Sequence, residues 1–128
     1  MLSTMAREVE DGVWVLDLDG ELDLTTAGAL KGAVEAIVPE RPLGLAVDLA
    51  HVPFMDSSGI SALVAARKKL QDVGAFLAVL RPHPMPRSLL QRTNLDRLLL
   101  VSGSLHEVFE RAVDAASPSA TPTGSSAA

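Results

Sequence analysis

The chain contains no cysteine. That absence excludes a disulfide framework, thiol catalysis and thiolate metal sites, and it fits a reducing compartment. No apolar run approaches the roughly 18 to 20 uncharged residues of a membrane span. The start, Met-Leu-Ser-Thr-Met-Ala-Arg-Glu-Val-Glu, also lacks the basic-then-apolar order of a signal peptide. Positive charge is in deficit as well, with 16 acidic against 11 basic residues and a net charge of −5. Phosphate affinity comes mainly from clustered Lys and Arg, so this balance argues against a nucleic-acid binder. The expectation is a cytoplasmic protein with no membrane segment and no direct nucleic-acid contact.

What is present is a chain of 128 residues, 48% hydrophobic and 21% charged. Folding at this length removes roughly two-thirds of the unfolded surface from water, enough for one core without covalent staples. The charge is unevenly spread. Residues 1–56 hold 11 acidic and 3 basic side chains and residues 57–128 hold 5 and 8, giving −8 and +3. Two solvated faces account for such a split more simply than a steering field.

Val13 to Leu18 puts Val13 and Val15 on one side of an extended strand and Trp14, Leu16 and Leu18 on the other. Thr4 to Glu10 can pair with it antiparallel across Asp11-Gly12, a dipeptide suited to positive φ. From Thr26 to Val38, the positions Leu30, Val34, Ile37 and Val38 follow helical spacing, with Thr25 or Thr26 as N-cap and Pro39 as a stop. Leu43 to Leu49 is short and apolar and suits a buried strand. A second helix begins near Asp56 or Ser57, with Ile60, Leu63, Val64, Leu70 and Val73 inward and Gly74 placed for a left-handed cap. Phe76 to Leu80 is a third apolar strand, and Pro82, Pro84 and Pro86 mark a loop before a brief helix around Arg87 to Arg92. Leu98 to Val101 is a further strand, and Ser104-Leu105-His106-Glu107 is a capping-box pattern opening a last helix through about Ala115. Alternating strands and helices after a hairpin predict an α/β fold, a mostly parallel mixed sheet with an antiparallel edge and about four helices. The domain spans 1–115. The tail over 116–128, rich in Ser, Thr, Pro and Ala, buries too little apolar surface to offset ordering and is expected to be disordered.

Two segments have chemistry to offer. Asp17-Leu18-Asp19-Gly20 follows an apolar strand and is similar to the nucleophile loop of haloacid dehalogenase-type phosphatases, with Asp17 as nucleophile and Asp19 as acid/base beside magnesium. Glu21 stands where that family has Thr or Val, no later acidic pair completes a metal site, and a solvated turn after a strand explains the segment far more simply. Phe54-Met55-Asp56-Ser57-Ser58-Gly59-Ile60 is a polar turn between a strand and an amphipathic helix. Backbone N–H groups at a helix start stabilise an anion, so a phosphoserine suits this position, and ordinary N-capping by Asp56 or Ser57 suits it too. Neither Ser57 nor Ser58 has the glycine two places earlier that a nucleophile elbow needs, and no glycine-rich phosphate loop is present. His51, His83 and His106 are spaced unlike a compact metal motif and are expected on the surface or in loops.

These segments together resemble the STAS domain of bacterial anti-sigma factor antagonists. The likeness rests on Gly20-Glu21-Leu22-Asp23 before a helix with Thr26 and Leu30, on Val47-Asp48-Leu49 ending a strand, and on the Met55-Asp56-Ser57-Ser58-Gly59 turn. It continues through Gly74, Phe76 to Leu80 and Leu89-Leu90 to Leu95, and covers roughly residues 4–114. The resemblance implies partner switching without catalysis. The unphosphorylated form would bind an anti-sigma factor, usually a serine kinase, and so free a sigma factor; the kinase would then phosphorylate Ser57 and a metal-dependent serine phosphatase would reverse it. Asp56 would shape the turn, and Ser58 and Gly59 would keep backbone close to the partner. Glu21 and Asp23 would flank the site, facing basic partner residues or capping the helix start. ATP and magnesium would belong to the kinase, leaving this chain no cofactor. A STAS scaffold or small-ligand sensor, with Ser57 incidental, is the alternative within the same family.

Overall fold

In a computed structural model, which describes residues 1–116 and the side chains of residues 1–111, Asp11 and Gly12 both take positive φ, 51° and 82°. Two such residues in succession give the tight turn whose twist matches a hairpin. The first strand, β1 (Leu2–Glu10), therefore folds back antiparallel on β2 (Val13–Gly20). From β2 onward each connection is a helical crossover: α1 (Ala27–Ile37) leads to β3 (Gly44–His51), α2 (Ser57–Gln71) to β4 (Phe76–Leu80), and α3 (Pro84–Arg92) to β5 (Leu100–Ser102). The sheet runs β1-β2-β3-β4-β5, parallel from β2 onward.

Right-handed crossovers that step the same way across a sheet put their helices on one face. On that face Leu30 and Val34 of α1, Leu63 and Leu70 of α2 and Leu90 of α3 are buried in one core with Leu16, Leu45, Val47 and Val79 of the sheet. The last helix, α4 (Leu105–Ala116), lies on the opposite face, where Val108 joins Val15, Ala46, Ala78 and Leu80. Alternate residues of the central strands thus enter two cores. That is why these strands read as nearly unbroken apolar runs.

The inward face of α2 and the starts of α3 and β5 differ from the sequence expectation. The buried stripe of α2 is Gly59, Leu63, Ala66 and Leu70, which leaves Val64, one residue off it, 46% exposed. Val73 is also outside, because the helix has already closed: Ala75 N–H donates to Leu70 O (2.8 Å) and Gly74 N–H to Gln71 O (3.0 Å), with Gly74 at φ 76°, the Schellman pattern. Helix α3 starts at Pro84, because prolines in a first turn forfeit only N–H groups that have no helical partner. Asn94, at φ 59°, turns the chain into a 3₁₀ turn over Leu95–Arg97, so β5 begins at Leu100 and Leu98 stays 56% exposed. Apart from Ala116, which ends α4, the expected tail lies outside the described residues. Among those, no helix is long and apolar enough to cross a membrane.

Candidate functional site

Asp56 sits in extended conformation at the start of α2, and its Oδ1 accepts from Ser58 N–H at 2.8 Å and from Gly59 N–H at 3.4 Å. Asp56 is therefore the N-cap, and Ser57 is the first helical residue, exposed to solvent. The amides of Ser58 and Gly59, expected to be open to an added anion, are occupied by this carboxylate. The Ser57 hydroxyl has no protein hydrogen-bond partner among the described residues.

Two loops are joined beneath it. Leu22 N–H donates to Phe54 O (3.1 Å) and Asp56 N–H donates to Leu22 O (3.2 Å), making a parallel bridge between Leu22 and Met55. Both side chains are fully buried. Gly59 rests on this bridge: a Cβ there would lie 2.5 Å from Met55 Cγ and 2.9 Å from Leu22 Cγ. The close approach that Gly59 permits is thus internal, between α2 and the two loops.

The bridge brings Glu21 and Asp23 beside the Asp56–Ser57 turn. Asp23 Oδ1 accepts from Thr25 N–H (2.9 Å) and from the Thr25 hydroxyl (2.7 Å), while the buried Thr26 hydroxyl donates to Glu21 O (2.7 Å) and accepts from Asp23 N–H (2.9 Å). Thr25 and Thr26 were each candidates to cap α1; neither does so by side chain, and Thr26 instead fastens the turn ahead of it. The Thr25 hydroxyl hydrogen bond holds the Asp23 carboxyl below its usual range against the opposing effect of burial. Glu21 is exposed.

Sequence reasoning missed the apolar ground around Ser57. Leu24 is 78% exposed and Phe54 40%, and a shallow groove of about 340 Å³ between α1 and α2 is floored by Ala27, Gly28, Ser58, Ser61 and Ala62, with Lys31 on its rim. On α2, Ser57, Ser61 and Val64 share a helix face by their spacing. The available signal was the run of small residues at helical spacing on both helices.

The other candidates lie apart. Asp17 pairs with Arg7 Nε at 3.0 Å, Asp19 is exposed opposite His51 in the β2–β3 register, and among the described residues no three His, Asp or Glu side chains gather to hold a metal ion. Asp48, a buried carboxylate within β3, accepts from Ala50 N–H (2.9 Å) and from Arg81 Nη2. That contact and the charge of Asp48 raise the Arg81 pKa. His83 Nε2 donates to Ala50 O at 2.6 Å and ties the start of α3 to β3. His106 lies 3.5 Å from Glu110 on α4.

The model of the STAS domain family matches residues 4–110. Anti-sigma-F factor antagonist RsfB of Mycobacterium tuberculosis is 34% identical over 99 residues, 77% of this chain and 80% of that one. The crystal structure of an anti-sigma factor antagonist from Mycobacterium paratuberculosis superposes with a TM-score of 0.77 at 31% identity, covering 88% of this chain and 94% of that one. The Bacillus cell fate determinant SpoIIAA in its phosphorylated form shares the fold, with a TM-score of 0.65 at 21% identity over 85% of this chain and 98% of that one.

Proposed function

The chain belongs to the STAS domain family, and from that membership and the geometry around Ser57 we propose that it is an anti-sigma factor antagonist whose binding is switched by phosphorylation of Ser57. The carrying observation is the Ser57 side chain itself, exposed at the first position of α2, with the adjacent amides already satisfied by Asp56. Relatives named as antagonists of anti-sigma factors support the choice of partner.

In the unphosphorylated state the apolar ground of Leu24, Phe54 and Val64, rimmed by Glu21, Asp23 and Asp56, offers an apolar centre and an acidic edge. An anti-sigma factor with an apolar patch and basic surroundings fits it. Binding sequesters the anti-sigma factor and frees its sigma factor. The anti-sigma factor is also the kinase: it supplies ATP and magnesium, and Ser57 Oγ accepts the phosphoryl group. A metal-dependent serine phosphatase removes it. All of this takes place in the cytoplasm, and the chain contributes an acceptor hydroxyl and a surface but no catalysis.

Phosphate adds about −1.5 to −2 charges at pH 7. Asp56 already occupies two helix-start donors, so the added dianion is left without them and must be desolvated against the partner. A hundredfold loss of binding needs roughly 2.7 kcal/mol of differential interaction, within the reach of one misplaced dianion. The test is incubation with ATP and the cognate kinase followed by phosphopeptide mapping. One phosphate on Ser57, absent in Ser57→Ala, is expected; modification elsewhere, or undiminished binding by Ser57→Asp, overturns the reading.

A further inference from the structure

A second candidate site lies at the β5 edge of the sheet, on residues that the partner switch does not use. Between α3, the Leu95–Arg97 turn, β5 and α4 there is a groove of about 530 Å³ lined by Arg87, Arg97 and Arg111, with Gln91 beside them and Asp96 as the one carboxylate among its described lining residues. A second depression of about 360 Å³ shares Leu98, Leu100 and Arg111 with it and adds Arg67 and Phe76. Together these volumes fall within the range of about 300 to 1,000 Å³ typical of small-molecule sites. Four of the eight basic residues of the C-terminal half therefore line one continuous surface, on a protein whose net charge is −5. Among the described residues none of the four guanidinium groups is in an ion pair.

We propose that this groove binds a small organic phosphate, its dianionic head on Arg87, Arg97 and Arg111 and its carbon body on Leu98, Leu100 and Phe76. Three arginines and one aspartate leave the head site with two net positive charges, which match a phosphate monoester. Planar guanidinium groups bind such oxygens through paired N–H donors. The exposed Leu98, between the two depressions, supplies the apolar contact that inorganic phosphate alone would leave unused. An acidic peptide added as a strand fits less well, because β5 offers only three residues for main-chain pairing. The segment 117–128 carries no charged side chain to answer the arginines. The site is separate from the switch: even Arg67, on the same helix as Ser57, is ten residues further along, about 15 Å of helix rise.

The full chain is titrated with phenyl phosphate, inorganic phosphate and phenol, followed by amide chemical shifts and calorimetry. Phenyl phosphate is expected to saturate, with affinity about tenfold or more above either fragment, and to shift amides within residues 87–101. Arg87→Gln and Arg97→Gln each weaken it about tenfold, the loss of one charged hydrogen-bonding partner, with the urea midpoint unchanged. Leu98→Ser reduces phenyl phosphate to the level of inorganic phosphate, and Ser57→Ala changes nothing, so this proposal stands or falls apart from the partner switch. The absence of saturable binding, affinity unaffected by Arg97→Gln, shifts centred on Ser57, or occupancy by an acidic peptide that phenyl phosphate fails to displace would each overturn it.

Discussion

Replacing Gly59 with alanine should destabilise this chain even though alanine is the better helix former. The new Cβ would lie 2.5 Å from Met55 Cγ, 2.9 Å from Leu22 Cγ and 3.0 Å from Leu22 O. Met55 Cγ is one bond from its own Cβ and swings little, and Leu22 O is held by Asp56 N–H at 3.2 Å. Relief therefore requires α2 to lift off the bridge between the two loops. Overpacking of this kind costs about 1 to 3 kcal/mol. Alanine returns at most about 1 kcal/mol of helix propensity, and less in a first turn. A net loss of about 1 to 2 kcal/mol is expected, read as a lower urea midpoint at unchanged slope. Two glycines of α1 provide the control, since a Cβ on Gly28 or Gly32 meets nothing within 4 Å. Gly32→Ala, in the helix interior, should raise stability by about 0.5 to 1 kcal/mol, and Gly28→Ala, in the first turn of α1, should raise it by less. If Gly59→Ala also raised the midpoint, the argument that this glycine is required by the Leu22–Met55 bridge would be refuted.

Arg81→Ala leaves the buried Asp48 carboxylate with Ala50 N–H as its remaining partner and should cost about 2 to 4 kcal/mol in urea unfolding, with most of the loss relieved by adding Asp48→Asn. Asp56→Ala removes the side-chain acceptor of Ser58 and Gly59 N–H and should cost about 1 kcal/mol, while Asp56→Ser retains most of it. The Asp23 carboxyl, lowered chiefly by the Thr25 hydroxyl, should titrate in carboxyl-carbon NMR below the usual value of about 3.9. Because its folded pKa is the lower one, its contribution to stability is present above the unfolded value and is lost as pH falls through the folded value. Thr25→Ala should move that midpoint upward; an unchanged midpoint would show that the hydroxyl is not the cause.

The alternation of strands and helices was legible because burial on both faces of β2, β3 and β4 leaves continuous apolar runs, and because Asp11-Gly12 announces its own turn. Boundaries were less legible. Leu98 is as apolar as its neighbours, and only the left-handed Asn94 and the 3₁₀ turn after it decide that Leu98 stays outside and the strand begins at Leu100. Val64 misled for a similar reason: a helix stripe is fixed to within one residue only by what it packs on. At the site, the Asp56 cap and the exposure of Ser57 follow from a polar residue ahead of an amphipathic helix. The Leu22–Met55 bridge could not be read, because it joins loops more than thirty positions apart through backbone atoms that carry no sequence signal. The arginines of the β5 edge were visible only as a charge excess, since α3, the 3₁₀ turn and α4 assemble them in space.

The central claim is that one phosphate on Ser57 decides whether the partner binds. Its most direct test is calorimetric titration of the cognate anti-sigma factor with this chain, unmodified and stoichiometrically phosphorylated on Ser57, in the same buffer and salt. The account predicts submicromolar-to-micromolar binding of the unmodified chain, about −8 kcal/mol or more favourable, and at least about a hundredfold weakening by the phosphate. The urea midpoint of the chain itself should be nearly unchanged, since Ser57 is exposed. Equal affinity of the two forms would contradict the account.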